Sequence, residues 1–418
     1  MSLRIFIKWW ELGVFAALLI SIALLGIGRL EFASAKNSMS AWSVSRTTFS
    51  FWIILRILLL MQRGWSEVSL ANLRPLAPLG AFFTVVTVSL LPDFHDAGDY
   101  RYFALACAHA VMVFDIFAPP SRRKWLPLLM GILPIVLVIR GLINGFSVLS
   151  FDLGHRFGFP LDHPNTAGFL FSMSFPLGLM VAAIGAPTWR AIASVSLVAQ
   201  ALALVLTYSR GAWFGWGAAM LFLGAATKKW RYCVGALVFA AAFIAAVPAL
   251  RERVGTTIIN PQIDPSIAGR LRLVQQAFQV GSANPVLGVG YGRGRLKKAL
   301  RSDLQEEGAE NNPIAHTHNV YLELFAETGL LGLGIFLWLL WETLRRLWRS
   351  AVIRTGPQRM LIFAIAASWC AAIVTGFGDI PFFHHETRIF FFTLLGWACL
   401  NPDQPGSNAT TDIWSRRN

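Results

Sequence analysis

The sequence predicts an all-α polytopic membrane protein, on three observations. Hydrophobic residues make up 55% of the 418 residues and Asp, Glu, Lys and Arg only 14%. That balance suits a bundle of spanning helices, each needing about 20 mostly apolar residues. The apolar residues gather into twelve runs separated by short polar connections, and the basic residues favour alternate connections. Such alternation marks a chain threaded back and forth through a bilayer. Sixteen Trp and 32 Phe supply aromatic belts for both interfaces.

In order, the runs occupy residues 9–28, 47–62, 75–92, 101–118, 125–143, 165–185, 190–207, 211–227, 231–249, 319–341, 358–376 and 387–400. The first has no small-residue cleavage site and reads as a retained helix rather than a signal peptide. Arg4 and Lys8, Arg63 and Arg74, Arg122 to Lys124, Arg190, Lys228 to Arg231, and Arg345 to Arg359 lie in every second connection, with Arg416 and Arg417 in the tail. The positive-inside rule puts these connections and both termini in the cytoplasm. The other connections then face outward. They include the acidic stretch with Asp93, Asp96 and Asp99, the segments around Arg156, Arg210 and Asp379, and one large outer loop. That loop, 251–317, lies between the ninth and tenth helices and is expected to carry short helices. No soluble domain stands out, so 1–418 reads as one integral-membrane domain. Cys107, Cys233, Cys370 and Cys399 fall in apolar runs without CxxC spacing and read as packing residues.

The 251–317 loop departs from the charge pattern. Between Arg251 and Arg301 it holds nine basic residues against Glu252 and Asp264, a net of +7. Long loops cross membranes largely regardless of charge, so the topology stands. The excess reads either as a basic surface near anionic headgroups or as a cationic pocket for phosphate, whose oxygens match the planar Arg fork. Asp264-Pro-Ser followed by apolar residues at 271, 274, 277 and 278 predicts an amphipathic helix. Arg270 is expected in its first turn, where free N–H groups also favour an anion. Next comes Asn284-Pro-Val-Leu-Gly288-Val-Gly290-Tyr-Gly292-Arg-Gly294. Its glycines permit tight turns and close approach to a ligand, but with no preceding strand it is no dinucleotide fingerprint.

At the end of the loop, His316-Thr317-His318-Asn319-Val-Tyr-Leu-Glu323 enters an apolar run. Such a polar cluster at a membrane boundary marks a functional site or a helix start capped by Asn319 and Thr317. Arg210, in a connection with almost no loop, reads as a snorkelling side chain or as part of that site. Arg156 precedes Pro164-Asn165, a stop-and-cap signal in which Asn165 is structural. The last outer connection carries Asp379 and His384-His385-Glu386, whose adjacent histidines suit one metal poorly. Arg56, inside an apolar run, has three readings: snorkelling, pairing with Asp115, or supporting the site.

Taken in order, Arg156 with Pro164-Asn165, Ser209-Arg210-Gly211, Gly269-Arg270, Asn284-Pro-x-x-Gly288-x-Gly290, His318-Asn319-x-x-Leu322 and Glu327-x-Gly329-x-x-Gly332 form one set. In spacing and membrane side the set resembles the O-antigen ligase family, within the superfamily of O-antigen ligases and polymerases. The resemblance runs from Arg156 to Leu395, and twelve helices with a large outer loop before the tenth fit it. It implies a membrane glycosyltransferase at the periplasmic face of the bacterial inner membrane. Such an enzyme moves O-antigen polysaccharide from undecaprenyl pyrophosphate to a sugar of the lipid A core. Carried over residue by residue, His318 matches the family's essential histidine, and Arg210 and Arg270 its essential arginines. His316 is a second histidine nearby; His318 is preferred because Asn319 follows it directly.

On this reading Arg210, Arg270 and Arg156 stabilise the pyrophosphate leaving group. His318 takes the proton of the acceptor hydroxyl, or orients it, for a single inverting displacement. Asp379 and Glu323 are the candidates to orient the imidazole, with Asn319 and His316 in support. No DxD-like pair adjoins the site, the only acidic rival being Asp93, Asp96 and Asp99, so chemistry without metal or cofactor is expected. The expected partners are the lipid-linked donor, the lipid A-core acceptor and membrane lipid, with no nucleic acid. The alternatives are an O-antigen polymerase or a protein O-oligosaccharyltransferase, which share the donor and differ in acceptor. From another class comes a transporter of lipid-linked substrates, although transporters are marked by repeats and midplane breaks, whereas these charges gather at one face.

Overall fold

The structure is a computed structural model describing residues 3–27, 30–31, 38–39, 41–63, 73–91, 98–143, 156–158, 161, 163–248, 251–252, 255, 265–304, 316–380 and 385–400. Among the described residues, each of the twelve apolar runs carries helix. They correspond to α1 (Leu3–Ile27), α2 (Ala41–Arg63), α3 (Ala77–Ser89) and α4 (Gly98–Ile116), then the broken pair α5 (Trp125–Ile132) and α6 (Ile135–Ile143). After these come α7 (Pro164–Ile184), α8 (Pro187–Leu206), α9 (Arg210–Thr227) and α10 (Trp230–Ala246). Two helices, α11 (Pro265–Ala283) and α12 (Arg293–Leu304), belong to the long loop. The chain closes with α13 (Val320–Val352), α14 (Gly356–Thr375) and α15 (His385–Cys399). The described residues are otherwise helical or loop except for a two-residue ladder pairing Leu30 with Met39 and Glu31 with Ser38. Among the described residues, seven helical segments are long and apolar enough to cross a membrane. Large apolar side chains such as Trp9, Ile57, Phe214 and Trp341 are exposed on helix flanks, as lipid-facing residues should be.

Helix α7 is the centre of the bundle, contacting α5, α8, α9, α14 and α15. Small residues set its approach to α5. A Cβ added at Gly178 would stand 2.8 Å from the carbonyl of Gly131, and one at Gly131 would stand 2.5 Å from the amide of Gly178. Close backbone approach through small residues is how spanning helices pack where lipid removes the hydrophobic driving force. Leu133 and Pro134 divide the fifth run, because Pro134 cannot donate to a helix ladder. The carbonyls of Gly131 and Ile132 thereby lose their ordinary partners. Gln200 Nε2 takes the first at 2.9 Å and Ser196 Oγ the second at 2.9 Å, both from α8. Ser174 Oγ then donates to Gln200 Oε1 at 2.7 Å. An open backbone carbonyl at this depth would cost several kcal/mol, so these α8 side chains are what makes the break tolerable.

A second break lies in α13. Gly329 has φ +68°, which interrupts the helix after two and a half turns. The interruption frees the carbonyls of Ala326 and Glu327 and the amides of Leu330 and Leu331. The Asn284–Gly290 stretch meets all four: Val289 N donates to Ala326 O and Gly290 N to Glu327 O, both at 2.9 Å. In return Leu330 N donates to Pro285 O at 2.8 Å and Leu331 N to Val286 O at 3.4 Å. The glycine-rich stretch predicted to approach a ligand closely is instead plugged into a helix break. A Cβ at Gly288 would collide with the Glu327 backbone, and one at Gly329 with the Val286 carbonyl.

The long loop corrects two expectations. The buried face of α11 is Ala277 with Val280, packed with Leu296, Leu300 and Ala326 and flanked by Leu273. Leu271 and Phe278, assigned to that face by spacing, are exposed. Docking of α11 on α13 selects the face, and periodicity within one short helix cannot see it. Because α11 begins at Pro265, Arg270 also lies in its second turn rather than its first, so the free N–H groups do not adjoin it.

Candidate active site

The end of the bundle where α8 finishes and α7, α9 and α13 begin collects the polar residues. Of the three non-glycine residues with positive φ among the described residues, two are here, Tyr208 at +52° and His318 at +55°. Such backbone is unfavourable by about 1–3 kcal/mol and persists where the surroundings over-determine it. At Tyr208 it turns the chain from α8 into α9 within three residues. At His318 it turns the chain from the long loop into α13.

The start of α13 is built by its own sequence. Asn319 is the N-cap, its Oδ1 accepting from Tyr321 N at 3.0 Å and Leu322 N at 3.1 Å. Thr317 gives its amide and hydroxyl to Glu323 Oε2 at 2.8 and 2.9 Å. The Asn319 amide reaches Phe377 O at 3.2 Å, and Val320 N reaches Gly376 O at 2.9 Å. These two bonds tie the segment carrying His318 to the end of α14, where Asp379 lies.

His318 Nδ1 is 3.3 Å from Asp379 Oδ1. The His318 side chain is 27% exposed and that of Asp379 only 3%, so the imidazole is open while the carboxylate behind it is shielded. Asp379 also accepts from Asn165 Nδ2 at 2.6 Å and from Ile380 N at 2.9 Å. Burial opposes ionisation of Asp379, but the hydrogen bond and charge of His318, then His316 and Arg270, outweigh it and hold the carboxyl below the usual range. Arg156 donates to Asn165 Oδ1 at 2.7 Å and to Thr207 O at 2.8 Å. A chain of bonds therefore runs Arg156–Asn165–Asp379–His318. Arg270 donates to Gly378 O at 3.2 Å, one residue from Asp379.

His163 is the residue that sequence reasoning missed. It is the N-cap of α7, its Nδ1 accepting from Asn165 N at 3.1 Å. Burial and the charge of Arg156 lower its pKa, with Asp379 opposing and His318 and Arg270 adding. The Pro164 after it marked a helix start, but the cap was expected at Asn165, which instead bridges Arg156 to Asp379. A purely structural Asn165 is thus replaced by one inside the cluster. Glu323 supports the turn through Thr317, while Asp379 is the carboxylate at His318 Nδ1. His316 Nδ1 accepts the His318 amide at 3.3 Å, and the two rings meet edge to face at 4.0 Å. His316, His318 and Asp379 offer ligand atoms within 4.8 Å of one another.

Arg210 opens α9 beside Gly211, whose carbonyl accepts from Thr375 Oγ1 at 3.3 Å. Arg210 is among the residues lining an apolar cavity of about 310 Å³ between α8, α9 and α10, with Leu204, Trp213, Leu237 and Ile244. Arg56 is settled: it pairs with Asp115, which also accepts from Trp52 Nε1 at 2.6 Å. Asp93, Asp96 and His384 lie outside the described residues, as do the side chains of His385 and Glu386.

Residues 195–337 match the family model described as O-antigen ligase. The match supports an O-antigen ligase family assignment. Arg210, Arg270 and His318 lie within the matched span, whereas Arg156, Asn165 and Asp379 lie outside it and are joined to it by the bonds above. No curated protein matches the chain.

Proposed function

We propose that this protein is an O-antigen ligase of the bacterial inner membrane. It moves O-antigen polysaccharide from undecaprenyl pyrophosphate to a sugar of the lipid A core, at the periplasmic face. Twelve spans with both termini in the cytoplasm are part of the same reading, supported by the alternation of basic connections. The observation that carries it is the partly exposed His318 imidazole backed by the shielded Asp379, with Arg156 and Arg270 tied into the same few residues.

The chemistry follows from those positions. Asp379 Oδ1 holds the proton of His318 on Nδ1, which leaves Nε2 as the basic nitrogen. Nε2 takes the proton of the acceptor hydroxyl as its oxygen bonds to the anomeric carbon of the donor. The bond from that carbon to the phosphate oxygen breaks, and undecaprenyl pyrophosphate departs with the electron pair. A single displacement inverts the anomeric configuration. Arg210, Arg270 and Arg156 bind the pyrophosphate and stabilise its growing charge, the task that a metal ion performs in many transferases. The apolar cavity that Arg210 helps to line suits the prenyl chain, with the Arg210 cation meeting the phosphates. Asn319 and Glu323 hold the turn that presents His318.

The test is transfer by the purified full chain from undecaprenyl-pyrophosphate glycan to lipid A-core, with EDTA present, alongside His318→Ala and Arg210→Ala. Product from the wild type and none from either folded variant is expected. Glycan extension without attachment to lipid A-core would instead identify a polymerase, and no transfer by folded wild type would overturn the enzymatic reading.

A further inference from the structure

We propose that His316, His318 and Asp379 form a zinc site whose occupation switches off transfer; the switch rests on the reading of His318 as base. Two imidazoles and a carboxylate are a donor set for zinc, whereas calcium and magnesium favour oxygen ligands. The spacing fits as well. Zn–N and Zn–O bonds are about 2.0–2.2 Å in a tetrahedral site, which separates adjacent ligand atoms by roughly 3.3–3.5 Å. His318 Nδ1 and Asp379 Oδ1 stand 3.3 Å apart, and all three ligand atoms lie within 4.8 Å of one another. The half-buried His316 ring completes the set within that distance.

The groups behind the ligands are those a metal site needs. Asp379 is fixed by Asn165 Nδ2 and Ile380 N, and outer partners of this kind orient ligands. Three protein ligands leave the fourth position to water. Arg156 and Arg270 near the site oppose a further cation, so micromolar rather than structural-site affinity is expected.

Zinc blocks the base through its tautomer. A metal on His318 Nδ1 needs the lone pair there, so the ring proton must sit on Nε2. Nε2 then cannot accept the proton of the hydroxyl, and Asp379 is held by the metal rather than by His318. No bond in protein or substrate is broken, and removing zinc restores the active tautomer.

The experiment uses the full chain in detergent, stripped with EDTA and then dialysed against Zn²⁺ or Co²⁺ alone. The wild type should bind one Zn²⁺ per chain, and its Co²⁺ form should show the strong visible bands of four-coordinate cobalt. Transfer, normalised to each protein's zinc-free rate, should fall by half at the free zinc that half-fills the site. His316→Gln should weaken binding and inhibition together by at least about tenfold, since losing even an outer partner commonly costs 10–100-fold. No zinc on the wild type, six-coordinate cobalt, or unchanged affinity in folded His316→Gln would overturn the site. Zinc bound without loss of transfer would overturn the switch. A stripped wild type with no transfer would end the enzymatic reading and the switch with it, while dialysis and the cobalt spectrum would still decide the site.

Discussion

Replacing Asp379 by Asn tests the dyad most directly. The carboxylate accepts from His318 Nδ1, Asn165 Nδ2 and Ile380 N. An amide of the same shape has one accepting oxygen and one donating nitrogen. Whichever way it turns, its NH₂ faces either the Asn165 amide, which also donates, or His318 Nδ1. The second arrangement forces the His318 proton onto Nε2, and the base is lost. A hydrogen bond to a charged group contributes about 1.5–3 kcal/mol, and each 1.36 kcal/mol is tenfold in rate. Loss of the charge alone therefore lowers kcat by about 10- to 150-fold. The wrong tautomer takes the loss toward about 10⁴, as in other histidine–carboxylate pairs. Asp379 is not placed on the pyrophosphate, so the KM for donor should change little. The assay is glycan transfer under saturating acceptor, with thermal unfolding in detergent to establish that the variant is folded. A folded Asp379→Asn enzyme retaining kcat within threefold would refute the assignment of Asp379 as the group that orients His318.

Gly329→Ala should destabilise the protein by about 1–3 kcal/mol from backbone strain alone, with the collision at the Val286 carbonyl adding to it; a lowered unfolding temperature in detergent checks this. Arg56→Ala leaves Asp115 facing only Trp52 and should lower stability by about 1–3 kcal/mol, with the specific activity of the folded fraction unchanged. A loss of activity at full stability would return Arg56 to the site. EDTA should leave wild-type transfer intact, and product formation with and without it reads this out.

Hydropathy alone showed where the chain is helical, because backbone in lipid must satisfy its own hydrogen bonds and a long apolar stretch has few other conformations; among the described residues seven segments are long and apolar enough to cross a membrane. The capping role of Asn319 was equally legible, since it depends on residues two and three positions away. Pro134 within the fifth run also had a local cause, although the Gln200 and Ser196 side chains that complete the break come from another helix.

The site itself depended on tertiary structure. His318 and Asp379 were each singled out from sequence, but Glu323 was an equal rival for the imidazole because sequence carries no distance between elements. Asn165 meets Asp379 across 214 positions, and only the packing of α7 against α14 brings them together. For the same reason the glycine stretch at 284–290 read as a ligand loop: the unpaired groups it serves lie in α13, and they exist only once Gly329 breaks that helix. The chain's composition determined that it would form membrane helices, since solvation by lipid acts on each segment separately. Which polar groups share one end of the bundle was decided by helix packing, because a hydrogen bond requires proximity in space that no local pattern encodes.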